Sequence, residues 1–146
     1  LLLFKDRITE KSIEVRASIM PIEALGDKNM IATVYRNILS NAIKYTRTSG
    51  IIETGIIERD RYIDVYVTDN GVGMSEDILT KIREFGTQES QPGTSGEKGT
   101  GLGLMLVKDF ILRHGSTLEI SSIEGKGSSF RFSLAKPVSP ADDGIC

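Results

Sequence analysis

Cysteine, long apolar runs and an excess of charge of one sign are all scarce in this 146-residue sequence. Its single cysteine, Cys146, is the final residue, so no internal disulfide can staple the fold, as suits a reducing compartment. The longest apolar stretches are a few residues, such as 1–4, too short for a membrane span or the core of a secretory leader. Lysine and arginine number 18 against 20 for aspartate and glutamate, a net charge of -2, and the cations are scattered rather than striped. No nucleic-acid partner is expected from such a surface. An initiating methionine is also missing, and the sequence reads as an excised fragment.

What is present suits one soluble domain with a single core, at 39% hydrophobic and 26% charged residues. Ile13, Val15, Ala17 and Ile19 alternate with polar residues, the period of a half-buried strand. Asp27 is placed to cap a helix running to about residue 46, with Ile31, Val34, Tyr35, Ile38 and Ala42 at helical spacing. Residues 51–58 and 62–68 read as a hairpin around a charged turn, and residues 75–85 as a short helix. Residues 86–98 are polar and rich in turn formers, which predicts a long mobile loop of the kind that serves as a lid. A second strong helix is expected over residues 100–114, with Leu102, Leu106, Phe110 and Ile111 on one face and Gly115 as its stop. Strands near 117–123 and 128–135 meet at Gly125-Lys126-Gly127, and residues 138–146 are expected to be a disordered tail. This order predicts an α/β (α+β) two-layer sandwich, a mixed sheet with helices on one face.

Three stretches can carry chemistry. Asn37, Asn41 and Lys44 fall within roughly 60° of one another on the long helix. Two amide oxygens beside an ammonium suit a hydrated Mg²⁺ and its phosphates, although a solvated helix edge has the same composition. Period 2 places Asp69 on the apolar face of its strand with Ile63, Val65 and Val67, next to a turn containing Gly71 and Gly73. An inward carboxylate there can accept from an exocyclic amine, although Asp-Asn-Gly is also a common turn. The string Gly99-Thr100-Gly101-Leu102-Gly103-Leu104 opens the second strong helix, where free N–H groups and the dipole favour phosphate. It lacks the preceding strand of a dinucleotide fold and the Lys-Ser or Lys-Thr of a P-loop. Ser128 shares a strand face with Phe130 and Phe132, which can bring it near Asp69, although taken singly it reads first as a turn serine.

In order, Asn37-Ile-Leu-Ser-Asn41-Ala-Ile-Lys44-Tyr45-Thr46, Asp69-Asn-Gly71-Val-Gly73-Met74 and Gly99-Thr-Gly101-Leu-Gly103-Leu closely resemble the N, G1 and G2 boxes of sensor histidine kinases. The resemblance covers most of residues 13–135 and extends to His114-Gly115 and to the stretch from Gly125 to Phe130. It implies the Bergerat ATP-binding fold of the GHKL superfamily, with ATP and Mg²⁺ as ligands. Asn41 and Asn37 then resemble the magnesium and phosphate contacts, Lys44 a phosphate contact, Tyr45 a pocket wall and Asp69 the adenine-reading carboxylate. Gly71, Gly73, Met74, Ser128 and the run from Gly99 to Leu104 complete the nucleotide site, with Phe85 as the F-box aromatic. Lys98 is a candidate cation for the terminal phosphate. On this reading residues 1–6 are the remnant of a connector, 7–137 the catalytic domain and 138–146 the tail.

Hydrolysing relatives of the same fold, such as gyrase and the mismatch-repair and heat-shock ATPases, carry a glutamate four residues before the magnesium asparagine. Here that position is Asn37, and an amide takes up no proton near neutral pH. A Bergerat-fold ATPase and a nucleotide-sensing module without transfer are the alternatives to a kinase. The one histidine, His114, lacks the context of the family's phosphoacceptor and is read as structural. The resemblance therefore implies an acceptor histidine on a separate dimerisation domain, a response regulator downstream, homodimerisation of the whole protein and a cytoplasmic location.

Overall fold

The computed structural model describes residues 2–85 and 103–138. A 3-10 turn, Leu2–Phe4, leads into α1 (Lys5–Glu10), then β1 (Glu14–Ser18), α2 (Lys28–Tyr45), β2 (Ile51–Glu58) and β3 (Tyr62–Asp69). After these come α3 (Glu76–Phe85), α4 (Gly103–Arg113), β4 (Glu119–Ile123) and β5 (Gly127–Ala135). The five strands form one sheet in the order β1-β2-β3-β5-β4, with β1 parallel to β2 and the other pairs antiparallel. Ile52, Val67, Phe130 and Phe132 meet Val34, Ile38 and Ile43 of α2 and Val107 and Ile111 of α4 in one buried cluster. The expected mixed sheet with its helices on one face is what the chain forms.

Local chemistry accounts for the ends of the long helix. Asp27 Oδ1 accepts from the N–H groups of Asn29 and Met30 at 2.9 and 3.0 Å, satisfying two donors that helix geometry leaves open. At the other end Lys11 reaches across from the end of α1, and its Nζ donates to the carbonyls of Ile43 and Lys44 at 2.8 and 3.0 Å. His114 follows the C-terminus of α4. Its Nε2 accepts from the Asp27 N–H at 3.0 Å, tying that helix end to the start of α2.

Three features depart from the expected pattern. The helix α1 was not foreseen, being six residues long and packed through Ile8 and the adjoining Phe4. It also brings Arg7 to the half-buried Ser40 of α2 at 3.2 Å. In β1 only the first half is covered: Ile13 is buried and Val15 half-buried, but Ala17 and Ile19 are exposed, because β1 is an edge strand. The buried face of α4 is Leu104, Val107 and Ile111, whereas Leu106 is exposed and Phe110 half-buried. That helix is apolar almost all round, so periodicity alone allows two faces. The loop at 86–98 and residues 139–146 of the expected tail lie outside the described residues.

Candidate functional site

Asp69 ends β3 at the centre of the sheet, in register with Ile52 of β2 and Ser128 of β5, and only 6% of it is exposed. Its carboxylate accepts from the Gly71 N–H at 2.9 Å and from the backbone N–H of Ser128. Burial pushes its pKa up to about 6, against those two hydrogen bonds, which pull it down. Near neutral pH the group is therefore ionised at a cost, and a further donor in reach would lower that cost.

The turn after Asp69 is stitched to elements on both sides. On one side the Val72 N–H donates to the Tyr45 carbonyl at 3.1 Å, and a Cβ on Gly71 would meet that same oxygen at 2.2 Å. On the other side the Gly125 N–H donates to the Val72 carbonyl at 2.7 Å. Gly73 has φ +67, and a Cβ there would lie 2.1 Å from the Ile123 carbonyl, so both its conformation and its contact require glycine. Gly127, at φ +129, likewise has the Asp69 carbonyl 2.0 Å from where a Cβ would sit. Met74 is half-buried against the core, and its N–H donates to Ser122 Oγ at 2.7 Å.

The polar stripe of α2 lies alongside. Asn37 and Asn41 are half-buried and Lys44 is 7% exposed, its ammonium 5.1 Å from the Tyr45 ring centroid. Asn37 Nδ2 donates to the Thr33 carbonyl at 2.8 Å, which fixes the amide and turns its oxygen toward α4. That oxygen would stand 2.8 Å from a Cβ on Gly103, the first residue of α4. Amide oxygens are hard neutral donors of the kind Mg²⁺ accepts beside phosphate oxygens, so Asn37 and Asn41 fit a magnesium carried in by a triphosphate. Among the described residues no group of three or more His, Cys, Asp or Glu could hold a metal by itself.

The fold thus gathers Tyr45, Asp69, Gly71, Gly73, Met74 and Ser128 at one place and sets Asn37 against Gly103 beside it. Leu104, the last member of the glycine string, is a core residue at 4% exposure. Phe85 ends α3, and its side chain lies outside the described residues, as do Lys98, Gly99, Thr100, Gly101 and Leu102. Two residues of this region escaped sequence reasoning, Lys11 and Ser122, because an isolated lysine or serine carries no pattern. A separate cavity of about 820 Å³ lies beside the N-terminal half of α2, lined by Ile31, Tyr35, Ile56, Val65 and Phe132 among others. Its largely apolar wall lacks a polar constellation like the one around Asp69.

Residues 26–138 match the protein family described as "Histidine kinase-, DNA gyrase B-, and HSP90-like ATPase". The chain is 35% identical over 137 residues to the adaptive-response sensory kinase SasA of Crocosphaera subtropica, an alignment covering 90% of this chain and 35% of that protein. It is 33% identical over 109 residues to the phosphate regulon sensor protein PhoR of Pseudomonas aeruginosa, covering 75% and 25% respectively. Among solved structures, the catalytic domain of the histidine kinase ThkA aligns at a TM-score of 0.76 and 26% identity, over 92% of this chain and 88% of that one. Full-length ShkA in complex with AMPPNP aligns at 0.75 and 25%, over 95% and 29%. The chain spans about a third or less of the length of these two curated relatives.

Proposed function

The chain belongs to the histidine kinase-, DNA gyrase B- and HSP90-like ATPase family, and on that premise we propose that it is the ATP-binding catalytic domain of a sensor histidine kinase. It presents the γ-phosphoryl group of ATP to a histidine on a separate dimerisation domain of its own protein, for signalling to a response regulator. The parent protein acts as a homodimer. No helix among the described residues is long and apolar enough to cross a membrane.

The Asp69 carboxylate carries this reading. It is buried, ionised near neutral pH and held by two backbone N–H groups that leave acceptor capacity over. The 6-amino group of adenine donates to such an acceptor, whereas guanine offers a carbonyl there and would set acceptor against acceptor. Tyr45 and Met74 wall the base. Asn37 and Asn41 supply amide oxygens to Mg²⁺, and Lys44 with the run from Lys98 to Gly103 meets the phosphates. When bound, Mg²⁺ neutralises charge on the transferring phosphoryl group; the chain's own residues position it for in-line attack by an imidazole.

Transfer rather than hydrolysis follows from Asn37, which cannot deprotonate a water, while an acceptor imidazole brings its own lone pair. Calorimetry with ATP and GTP tests the base assignment, and equal affinities would overturn it. Radiolabelled ATP with and without the parent's acceptor domain tests the activity. Label on the acceptor histidine, with slow phosphate release by this domain alone, is expected. Rapid release without acceptor would establish the ATPase, and saturable ATP binding with no transfer the sensing module.

A further inference from the structure

Ser122, half-buried on β4, sits outside every motif, yet three polar groups converge on its hydroxyl. Met74 N lies at 2.7 Å, the Gly127 carbonyl oxygen at 3.1 Å and Ser128 Oγ at 2.8 Å. A hydroxyl has one proton and two lone pairs. The Met74 amide can only donate and the Gly127 carbonyl can only accept, so Ser122 accepts from the first and can donate to the second. The contact with Ser128 Oγ completes the set, and either hydroxyl can be its donor.

These partners lie on both sides of Asp69. Met74 closes the turn that follows it, and Gly127 and Ser128 belong to the strand paired with it, Ser128 being its register partner and backbone donor. The neighbouring stitch across the same seam, from the Gly125 N–H to the Val72 carbonyl, is made by backbone alone, and Gly73 packs so close to the Ile123 carbonyl that no Cβ fits there. Ser128 also meets the Ser122 hydroxyl through its own hydroxyl. Its contact with the carboxylate is through the main chain.

We infer that Ser122 is a positioning residue for base selection, its hydroxyl locking the 70–74 turn to the β4–β5 hairpin and so setting where Asp69 presents its carboxylate. The inference rests on Asp69 being the adenine acceptor. Removing the hydroxyl leaves the Met74 N–H without its acceptor and the Ser128 hydroxyl without its partner, and frees the turn to admit water beside the carboxylate. Damage should then fall on the base end of the nucleotide and spare the phosphate end, which is held by α2 and the start of α4.

The experiment compares the parent domain with Ser122→Ala and with Ser122→Thr, which restores the hydroxyl. Two readouts are taken: the NMR titration of the Asp69 carboxyl without nucleotide, and affinities for ATP, GTP and inorganic tripolyphosphate with Mg²⁺. In Ser122→Ala the Asp69 titration should move down from about 6 toward the usual carboxylate range. ATP should bind about tenfold more weakly, the ratio of ATP to GTP affinity should narrow and tripolyphosphate should be unaffected. Ser122→Thr should recover most of the ATP affinity. An unchanged Asp69 titration with an unchanged ratio overturns the inference, as does an equal loss for all three ligands, which marks a merely structural role. If Ser122→Ala does not fold, Ser122→Cys, close in size with a weak donor and acceptor, carries the same expectations. A parent that binds neither nucleotide refutes the adenine reading instead, and the Asp69 titration still decides whether Ser122 sets that carboxyl.

Discussion

Replacing Asp69 with asparagine keeps the shape of the side chain and removes its charge, and the effects on stability and on binding should have opposite signs. An unfolded chain ionises this carboxyl near 3.8, whereas the fold delays ionisation to about 6. Between those values the native state holds a proton that the unfolded state has released, so stability falls as pH rises. The stabilisation from the neutral form is fully present below 3.8 and lost as pH passes through about 6. At 1.36 kcal/mol per pH unit, the interval amounts to about 3 kcal/mol. Asparagine does not titrate. Whatever constant offset the amide introduces, the stability of Asp69→Asn relative to the parent should therefore climb by about 2.4 kcal/mol between pH 4 and pH 7.5, the rest of the interval being lost below pH 4. For a chain of this length that is roughly 5 to 10 °C in melting temperature. Urea melts at several pH values give the difference directly, and the same variant should bind ATP roughly tenfold more weakly, having lost a charge-assisted acceptor. A stability difference independent of pH over this range would refute the argument, because it would mean the carboxyl does not pay a desolvation cost in the empty fold.

Binding that selects the ionised carboxylate must expel its proton. Calorimetry at pH 6 in two buffers of different ionisation enthalpy should show about half a proton more released on ATP binding by the parent than by Asp69→Asn, with the difference vanishing at pH 8. Two glycine variants should separate contact from conformation. Gly71→Ala drives a Cβ into the Tyr45 carbonyl and should cost roughly 1 to 3 kcal/mol together with nucleotide affinity. Gly115→Ala, at φ +72 with open space around it, should cost about 1 kcal/mol in denaturant melts and leave affinity unchanged. Lys11→Met removes both bonds to the last carbonyls of α2 and should lower stability by roughly 1 to 3 kcal/mol, read from urea midpoints.

What could be read in advance follows from how far a signal extends along the chain. The cap at Asp27, the ranges of α2 and β2 and the inward face of Asp69 were legible because periodicity and capping are local. The buried face of α4 was not, since Leu104, Leu106, Val107, Phe110 and Ile111 give two overlapping stripes and only the position of the sheet chooses between them. Order in the sheet was equally out of reach. That β5 lies between β3 and β4 depends on pairing between residues about 60 positions apart, and it brings Ser128 beside Asp69 as its strand face allowed. The helix α1 escaped because six residues hold too little periodicity to stand out. Lys11 and Ser122 are single polar residues whose partners, at α2 carbonyls and in the 70–74 turn, are set by tertiary folding.

The same distinction separates the two ends of the site. At the base end the turn is held by backbone on both flanks and by one serine hydroxyl, so Asp69 is pre-organised before any ligand arrives, and its desolvation is sustained by the rest of the fold. At the phosphate end the side chain of Asn37 is anchored to its own helix through Thr33, and its oxygen faces the first residue of α4. A neutral amide held this way can orient a metal-bound phosphate but has no basic site with which to activate water. On the proposed function the arrangement combines a pre-organised acceptor for the base with an amide, at Asn37, that cannot activate a nucleophile. On that proposal the domain is expected to turn over only with an external acceptor, the division of labour that follows when the reactive imidazole resides on a different domain.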